Sequence, residues 1–200
     1  ECETFVGIDL AAVGDLTAVS YLHKKEDDEK YYFHTDLYAP ETVLTENVNK
    51  EYYKYLVRQK ALKLTAGNVT DYDVILTDIL KNNEKFMIRK IAYDSWNASF
   101  FVVKATEAGL PMEPYSQSIS NFNKPVRELE RLIRSGKVQI NYNEAINWMF
   151  RNIRLKSDHN DNIKPVKANT ASKIDGVIAM LQALGVYLDT PHYNNEIFVI

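Results

Sequence analysis

Apolar and polar positions change their period twice along this chain, and the changes outline its elements. Residues 4–10 (TFVGIDL), 16–22 (LTAVSYL) and 30–38 (KYYFHTDLY) are short, mostly apolar runs rich in β-branched and aromatic side chains, which predicts three consecutive strands. The interruptions between them, AAVGD and the charged HKKEDDEK, suit turns, so the economical arrangement is an antiparallel meander with a solvated tip. After Pro40 the period becomes helical. Residues 45–61 predict a helix with Tyr52, Tyr55 and Leu56 inward, and 71–84 a second one, capped by Asp71, with Val74, Leu76, Ile79 and Leu80 apolar. Strand 88–94, helix 97–108, strand 111–116 and helix 124–135 follow. The last quarter predicts a helix at 143–151, a hairpin of strands 152–157 and 162–167 turning through DHNDN, and a final apolar helix at 173–188. Strands alternating with helices after a meander predict an α/β fold: a mixed sheet, antiparallel at first and then parallel, with helices on both faces and an added β-hairpin.

Composition narrows this picture without changing it. At 200 residues, 46% hydrophobic and 26% charged, the chain suits one globular domain rather than a disordered segment. Cys2 is the single cysteine, which excludes an internal disulfide and a cysteine-based zinc site. No apolar run approaches the roughly 18 to 20 residues that span a bilayer, and no signal pattern opens the chain, so a cytoplasmic protein without membrane contact is expected. A strand begins almost at Glu1, which is not a start methionine, so the chain is expected to be a piece of something longer. The net charge of −3 does not mark a strongly basic nucleic-acid binder, although binding depends on where the charges sit.

The chemistry lies in the acids. Asp9 ends an apolar strand on the face shared with Phe5 and Gly7, while Val6, Ile8 and Leu10 face the other way. Asp94 ends IAYD in the same manner. If the two strands are parallel neighbours, both carboxylates emerge at the carboxyl edge of the sheet, where open α/β sheets place their sites. Asp175, in SKIDG, opens the last helix and would complete a cluster of three. Carboxylates gathered from distant segments repel unless cations compensate, and hard oxygen donors suit Mg²⁺ or Mn²⁺. Such a cluster points to metal-assisted phosphodiester chemistry. Each acid also has an ordinary role open to it: Asp9 bonding the next turn, Asp94 capping the following helix, Asp175 completing a capping box with Ser172, and Asp15 closing the first turn.

These stretches resemble the nuclease domain of the large terminase subunit of tailed phages. The markers are GIDLAAVGDLTA at 7–18, IAYDSWNA at 91–98, NKPVRELERLIRSGKVQ at 123–139, INWMFRNIRLKSDHNDNIKPVK at 146–167 and SKIDGVIAMLQALGV at 172–186, in that order. The resemblance covers essentially residues 1–200. It implies a ribonuclease-H-like fold that cuts double-stranded DNA with two divalent metal ions, Mg²⁺ or Mn²⁺. By position it assigns Asp9, Asp94 and Asp175 as catalytic metal-binding acids, and Asp15 as an additional acid near the site in some members. It further implies an N-terminal ATPase motor, a small terminase subunit and a portal as partners, in the cytoplasm of a bacterial host. The motor is expected to be absent from this chain, since no G-x-x-x-x-G-K-[ST] loop occurs and RSGKV at 134–138 falls short of one.

Basic side chains offer routes to DNA. Lys156, Lys164, Lys167 and Lys173 are expected near the acids, and Lys124, Arg127, Arg131 and Arg134 line one face of the helix from 124, where local pairs such as Glu130 with Arg134 compete for them. His23, His34, His159 and His192 show no metal spacing, no G-x-S-x-G is present, and Trp96 and Trp148 read as packing. Other readings remain open: a junction resolvase or transposase core with the same acids, or a non-catalytic module docking on the viral portal. GIDLAAVGDLTAV also resembles the first phosphate loop of actin-like ATPases and sugar kinases, whose second domain and adenosine loop do not fit in 200 residues.

Overall fold

The computed structural model describes residues 2–11, 14–95 and 99–191. The meander forms as β1 (Cys2–Asp9), β2 (Thr17–Lys25) and β3 (Tyr31–Pro40), with β2 antiparallel to both neighbours. Next come α1 (Val43–Glu46), α2 (Lys50–Arg58), β4 (Lys63–Thr65), α3 (Tyr72–Asn83), β5 (Met87–Tyr93), α4 (Ser99–Glu107) and β6 (Met112–Pro114). The chain continues through α5 (Ile119–Arg134), β7 (Val138–Ile140), α6 (Glu144–Arg151), the hairpin β8 (Ile153–Ser157) and β9 (Ile163–Lys167), and α7 (Asp175–Asp189). Seven strands make one mixed sheet in the order β4-β3-β2-β1-β5-β6, with β7 also on β3. The parallel pairs are β1 with β5, β5 with β6, and β3 with β4 and β7.

The period-2 pattern of β1 decides which layer covers which face. Phe5 joins a core with α2, α5, α6 and α7, whereas Val6, Ile8 and Leu10 join Ile75 and Ile79 of α3 and Phe101 of α4 on the opposite face. The layer of α7 comes exceptionally close at Gly7, where a β-carbon would lie 2.6 Å from the Ala183 nitrogen. At Gly176 a β-carbon would meet the Ile146 side chain at 2.4 Å, so the first turn of α7 is also pressed onto α6.

Several elements differ from their expected limits for identifiable reasons. The helix expected at 45–61 is broken at Asn47, whose extended backbone and side chain, accepting from Asn49 N–H at 2.9 Å, end α1 and restart the chain as α2. The buried side of α2 is Tyr53 and Leu56, with Tyr55 exposed. In α3 Ile79 is buried as expected and Leu76 and Leu80 pack beside it, but Val74 is 40% exposed and Ile75 takes its place in the core. The helix expected from 124 starts five residues earlier, at Ile119, behind the Ser118 cap. That places Pro125 inside α5, where its missing N–H leaves the Asn121 carbonyl without its helical donor; the Tyr115 hydroxyl donates to that oxygen at 3.0 Å instead. The short strands β4 and β7 escaped the sequence pattern because three residues carry no readable period.

Candidate active site

The carboxylates meet because two unrelated periods come into step. Asp9 lies two residues beyond Gly7 on the same face of β1, a rise of about 6.6 Å along a strand. Asp175 lies four residues before Ala179, about 6 Å along a helix and on the same side of it. Because α7 touches β1 at Gly7 through Ala179 and Ala183, Asp175 arrives beside Asp9. Asp94 comes from the parallel neighbour, one residue past the Ile8–Tyr93 pairing that ends the β1–β5 ladder.

Asp9, Leu10, Ala11, Asp15, Gln117, Phe122, Ile174, Asp175 and Ile178, with residues 164–167 of β9, line a cleft of about 460 Å³. The Asp9 carboxyl is held well above the ordinary carboxylate range, first by burial and then by the adjacent Asp175 charge; Asp94 adds to this, while Gln117 and Lys167 oppose it. Asp175 is only 8% exposed and is shifted upward as well, by burial and then by Asp15, against the pull of Lys167 and Lys173. Its Oδ2 is buried with no hydrogen-bond partner among the described residues. Gln117 Nε2 donates to Asp9 Oδ1 at 3.1 Å. Asp15 lies beside these groups, its Oδ1 accepting from Leu16 N–H at 2.7 Å and facing Lys173 Nζ at 2.6 Å, with Lys167 Nζ 4.0 Å from Oδ2.

The hairpin forms one wall. Lys156 stands opposite Lys164 across its ladder, and Asp158 ties the turn by accepting from the N–H groups of Asn160 and Asn162 at 2.8 and 3.0 Å. Asn123 accepts from Ile163 N–H at 3.1 Å, and Arg127 donates to the Asp161 carbonyl at 2.6 Å, so α5 clamps the hairpin. Arg131 is paired bidentately with Glu128, Arg134 with Glu130 and Lys124 with Asp189, so the basic side of α5 is engaged locally. The duplex contact expected of Lys173 gives way to burial, since this residue is 8% exposed and its ammonium is turned onto Asp15. The capping box with Ser172 does not form either: α7 starts directly at Asp175 after Ile174, with no side-chain cap. The capping role open to Asp94 falls on residues 96–98, which with Trp96 and His192 lie outside the described residues. Gln117 escaped the sequence reading because an isolated amide in a loop carries no periodic or charge signal.

Oxygen donors in this arrangement suit a divalent cation. Two buried carboxylates that repel each other, one with an unpartnered oxygen, would both be relieved by a shared positive charge. Among the described residues, no three His, Cys, Asp or Glu side chains converge tightly enough to cage an ion by themselves. No described histidine lines the cleft: His34 faces Asp36, His23 bonds Thr4, and His159 sits in the hairpin turn.

A mixed sheet with an antiparallel meander, parallel strands beyond it and acids at the shared strand ends defines a ribonuclease-H-like α/β domain. The chain belongs to the family described as the terminase large subunit, endonuclease domain, whose model matches residues 2–190. It is 27% identical over 185 residues to the terminase large subunit of Enterobacteria phage HK97, covering 90% of this chain and 36% of that protein. The crystal structure of the HK97 large terminase superposes with a TM-score of 0.83 at 26% identity, over 93% of this chain and 40% of that one. The fold also matches the large terminase nuclease of thermophilic phage G20c with bound magnesium, at TM-score 0.59 and 14% identity over 92% and 81% of the two chains. The g2p nuclease domain of bacteriophage SPP1 with bound Mn gives 0.54 and 15% over 94% and 87%. This chain thus spans little more than a third of the HK97 protein's length. No helix among the described residues is long and apolar enough to cross a membrane.

Proposed function

We propose that this domain is a metal-dependent endonuclease that cuts double-stranded, concatemeric viral DNA during genome packaging. The observation that carries the reading is the buried, mutually repelling Asp9–Asp175 pair on the floor of an open cleft beside a lysine-bearing hairpin. Asp9, Asp94 and Asp175 are assigned as the residues that hold two divalent ions, Mg²⁺ or Mn²⁺, with Asp15 next to them. When bound, such ions polarise the scissile phosphate and ease deprotonation of the attacking water.

The chain's own groups supply the remainder. Gln117 fixes the rotamer of Asp9 through its 3.1 Å hydrogen bond, so that one carboxylate oxygen stays turned toward the cleft. Lys156, Lys164 and Lys167 offer phosphate contacts, which give salt-sensitive affinity without choosing a sequence. Arg127 acts through the hairpin that it anchors, and Arg131 reaches a phosphate only by leaving Glu128. In the longer protein the domain would work with an N-terminal ATPase, the small terminase subunit and the portal, in the host cytoplasm.

The test is degradation of supercoiled plasmid with Mn²⁺ or Mg²⁺ by this chain and by Asp9→Asn. Cleavage is expected from the parent alone, and equal cleavage by both would overturn the assignment. A preference for branched over linear duplex would point to a resolvase-like core. That no three His, Cys, Asp or Glu side chains among the described residues converge to cage an ion favours one further reading, a portal-docking module with structural acids. That module predicts neither metal binding nor cleavage.

A further inference from the structure

The two layers of the domain carry opposite charge. On the side of α2, α6 and the hairpin, residues 50–60 and 144–167 hold nine Lys and Arg against four Asp and Glu, in a chain whose net charge is −3. On the opposite face, residues 71–84 and 99–107, around α3 and α4, hold two against five. The layers also differ in which cations are free. On α5, Lys124, Arg131 and Arg134 each face a carboxylate, and on α2 Lys54 is held by Glu51 at 2.7 Å. Lys50, Arg58 and Arg151, by contrast, are exposed, and their side chains take no ion pair or hydrogen bond among the described residues. Arg154 donates to the Ile153 carbonyl at 2.8 Å and meets no carboxylate among the described residues. This surface starts at the cleft, since Arg154 stands opposite Val166, one of the lining residues. α6 ends at the rim, where Asn152 donates to the Lys173 carbonyl at 3.1 Å and its own carbonyl accepts from Ala168 N–H at 2.9 Å. α2 begins at the same rim, with Asn49 donating to the Ala171 carbonyl at 2.9 Å. Tyr52 joins the two helices, its ring centroid 4.8 Å from that of Trp148, so they form one platform.

We propose that the α2–α6 face is a second contact surface for duplex DNA, through Lys50, Arg58, Arg151 and Arg154, and that it sets the direction in which the flank of the duplex leaves the cleft. The proposal rests on the nuclease reading of the cleft and adds contacts outside it. A duplex is a stiff rod with one negative charge for about every 1.7 Å of its axis, so the part beyond the cleft lies along one layer or the other. The free cations draw it over α6 and α2, and the carboxylates around α3 and α4 repel it. On α2 alone, Lys50 and Arg58 lie eight residues apart, about 12 Å along the helix, so a short duplex seated in the cleft does not reach them all. Contacts from such side chains to phosphates add affinity without choosing a sequence.

The experiment follows the fluorescence anisotropy of labelled duplexes of about one and about three helical turns across a series of NaCl concentrations. Ca²⁺ replaces Mn²⁺, to balance the acids of the cleft while slowing cleavage. The proteins are this chain, the variant combining Lys50→Gln, Arg58→Gln, Arg151→Gln and Arg154→Gln, and Glu51→Gln. The parent is expected to bind the longer duplex more tightly and with a steeper salt dependence. The combined variant should lose about tenfold or more in affinity for the longer duplex at 0.1 M salt, and its salt slope should flatten by roughly 3 to 4, at about 0.9 for each phosphate contact removed. Glu51→Gln removes an anion and frees Lys54, so it should bind the longer duplex several-fold more tightly; this variant carries the test if the combined one does not fold. Unchanged binding of the longer duplex by the folded variants would overturn the second surface alone and point to an acidic protein segment as its occupant. Failure of the parent to bind either duplex would overturn the nuclease reading as well.

Discussion

Gly7 lies so close to α7 that a β-carbon built on it would fall 2.0 Å from the Ala179 carbonyl oxygen. Neither backbone can yield cheaply, because β1 is central in the sheet and α7 is buried along most of its length. Gly7→Ala is therefore expected to cost about 3 kcal/mol, at the upper end for overpacking. Since the same contact brings Asp175 to Asp9, whatever folds should also bind Mn²⁺ more weakly. Urea denaturation and metal titration check the two parts separately.

Asp9→Asn should stabilise the metal-free domain even as it abolishes metal binding. The folded state raises the Asp9 carboxyl above its unfolded value, so ionisation works against folding, and the penalty disappears as pH falls toward the unfolded pKa. In EDTA the variant is expected to melt roughly 2 to 4 °C above the parent near pH 8, the shift that about 1 kcal/mol produces in a domain of this size. The two curves should converge near about pH 4. Melting curves across that range, with and without Mn²⁺, measure it.

Gln117→Ala removes the donor that orients Asp9 without unpacking the core. Stability should change by no more than about 1 kcal/mol, since a part-buried hydrogen bond is lost while the acid can turn to solvent in the cleft. Plasmid cleavage should fall about tenfold, the lower end for the loss of a ligand-orienting contact. Gel assays at matched metal concentration test this, and unchanged cleavage would remove Gln117 from the site.

Away from the cleft, Lys63 Nζ joins Asp36 at 3.2 Å and Asp78 at 2.9 Å, linking β3, β4 and α3. Burial alone would raise the Asp36 carboxyl, but His34 and Lys63 outweigh it and hold it below the usual range. A depressed acid stabilises the fold above its unfolded pKa and loses that contribution as pH falls through the folded one. Lys63→Met should accordingly cost about 1 kcal/mol near neutral pH, a modest figure because the ammonium is partly solvated. The gap from the parent should close below about pH 4, as pH-dependent chemical denaturation would show.

The sequence by itself determined the strands of the meander, the hairpin, the last helix and the three separated acids, because those features follow from local periods and from charge placed in apolar runs. β1, β8 and β9 end within two residues of their expected limits. The fold and family of the domain were legible for the same reason, through the order and spacing of its motifs. Features set by a distant partner were not. Gln117 reaches Asp9 across 108 residues of chain, β7 exists only because β3 offers an edge, and α5 runs through Pro125 because Tyr115 supplies the missing hydrogen bond. The fate of the basic residues was also decided in three dimensions. Lys156 and Lys167 both stand in the hairpin ladder, yet Lys167 lines the cleft and faces Asp15 while Lys156 lies opposite Lys164. Lys173, two residues before Asp175, is drawn inside by its carboxylate partner, because a buried ammonium is stable only where the fold has already placed an anion.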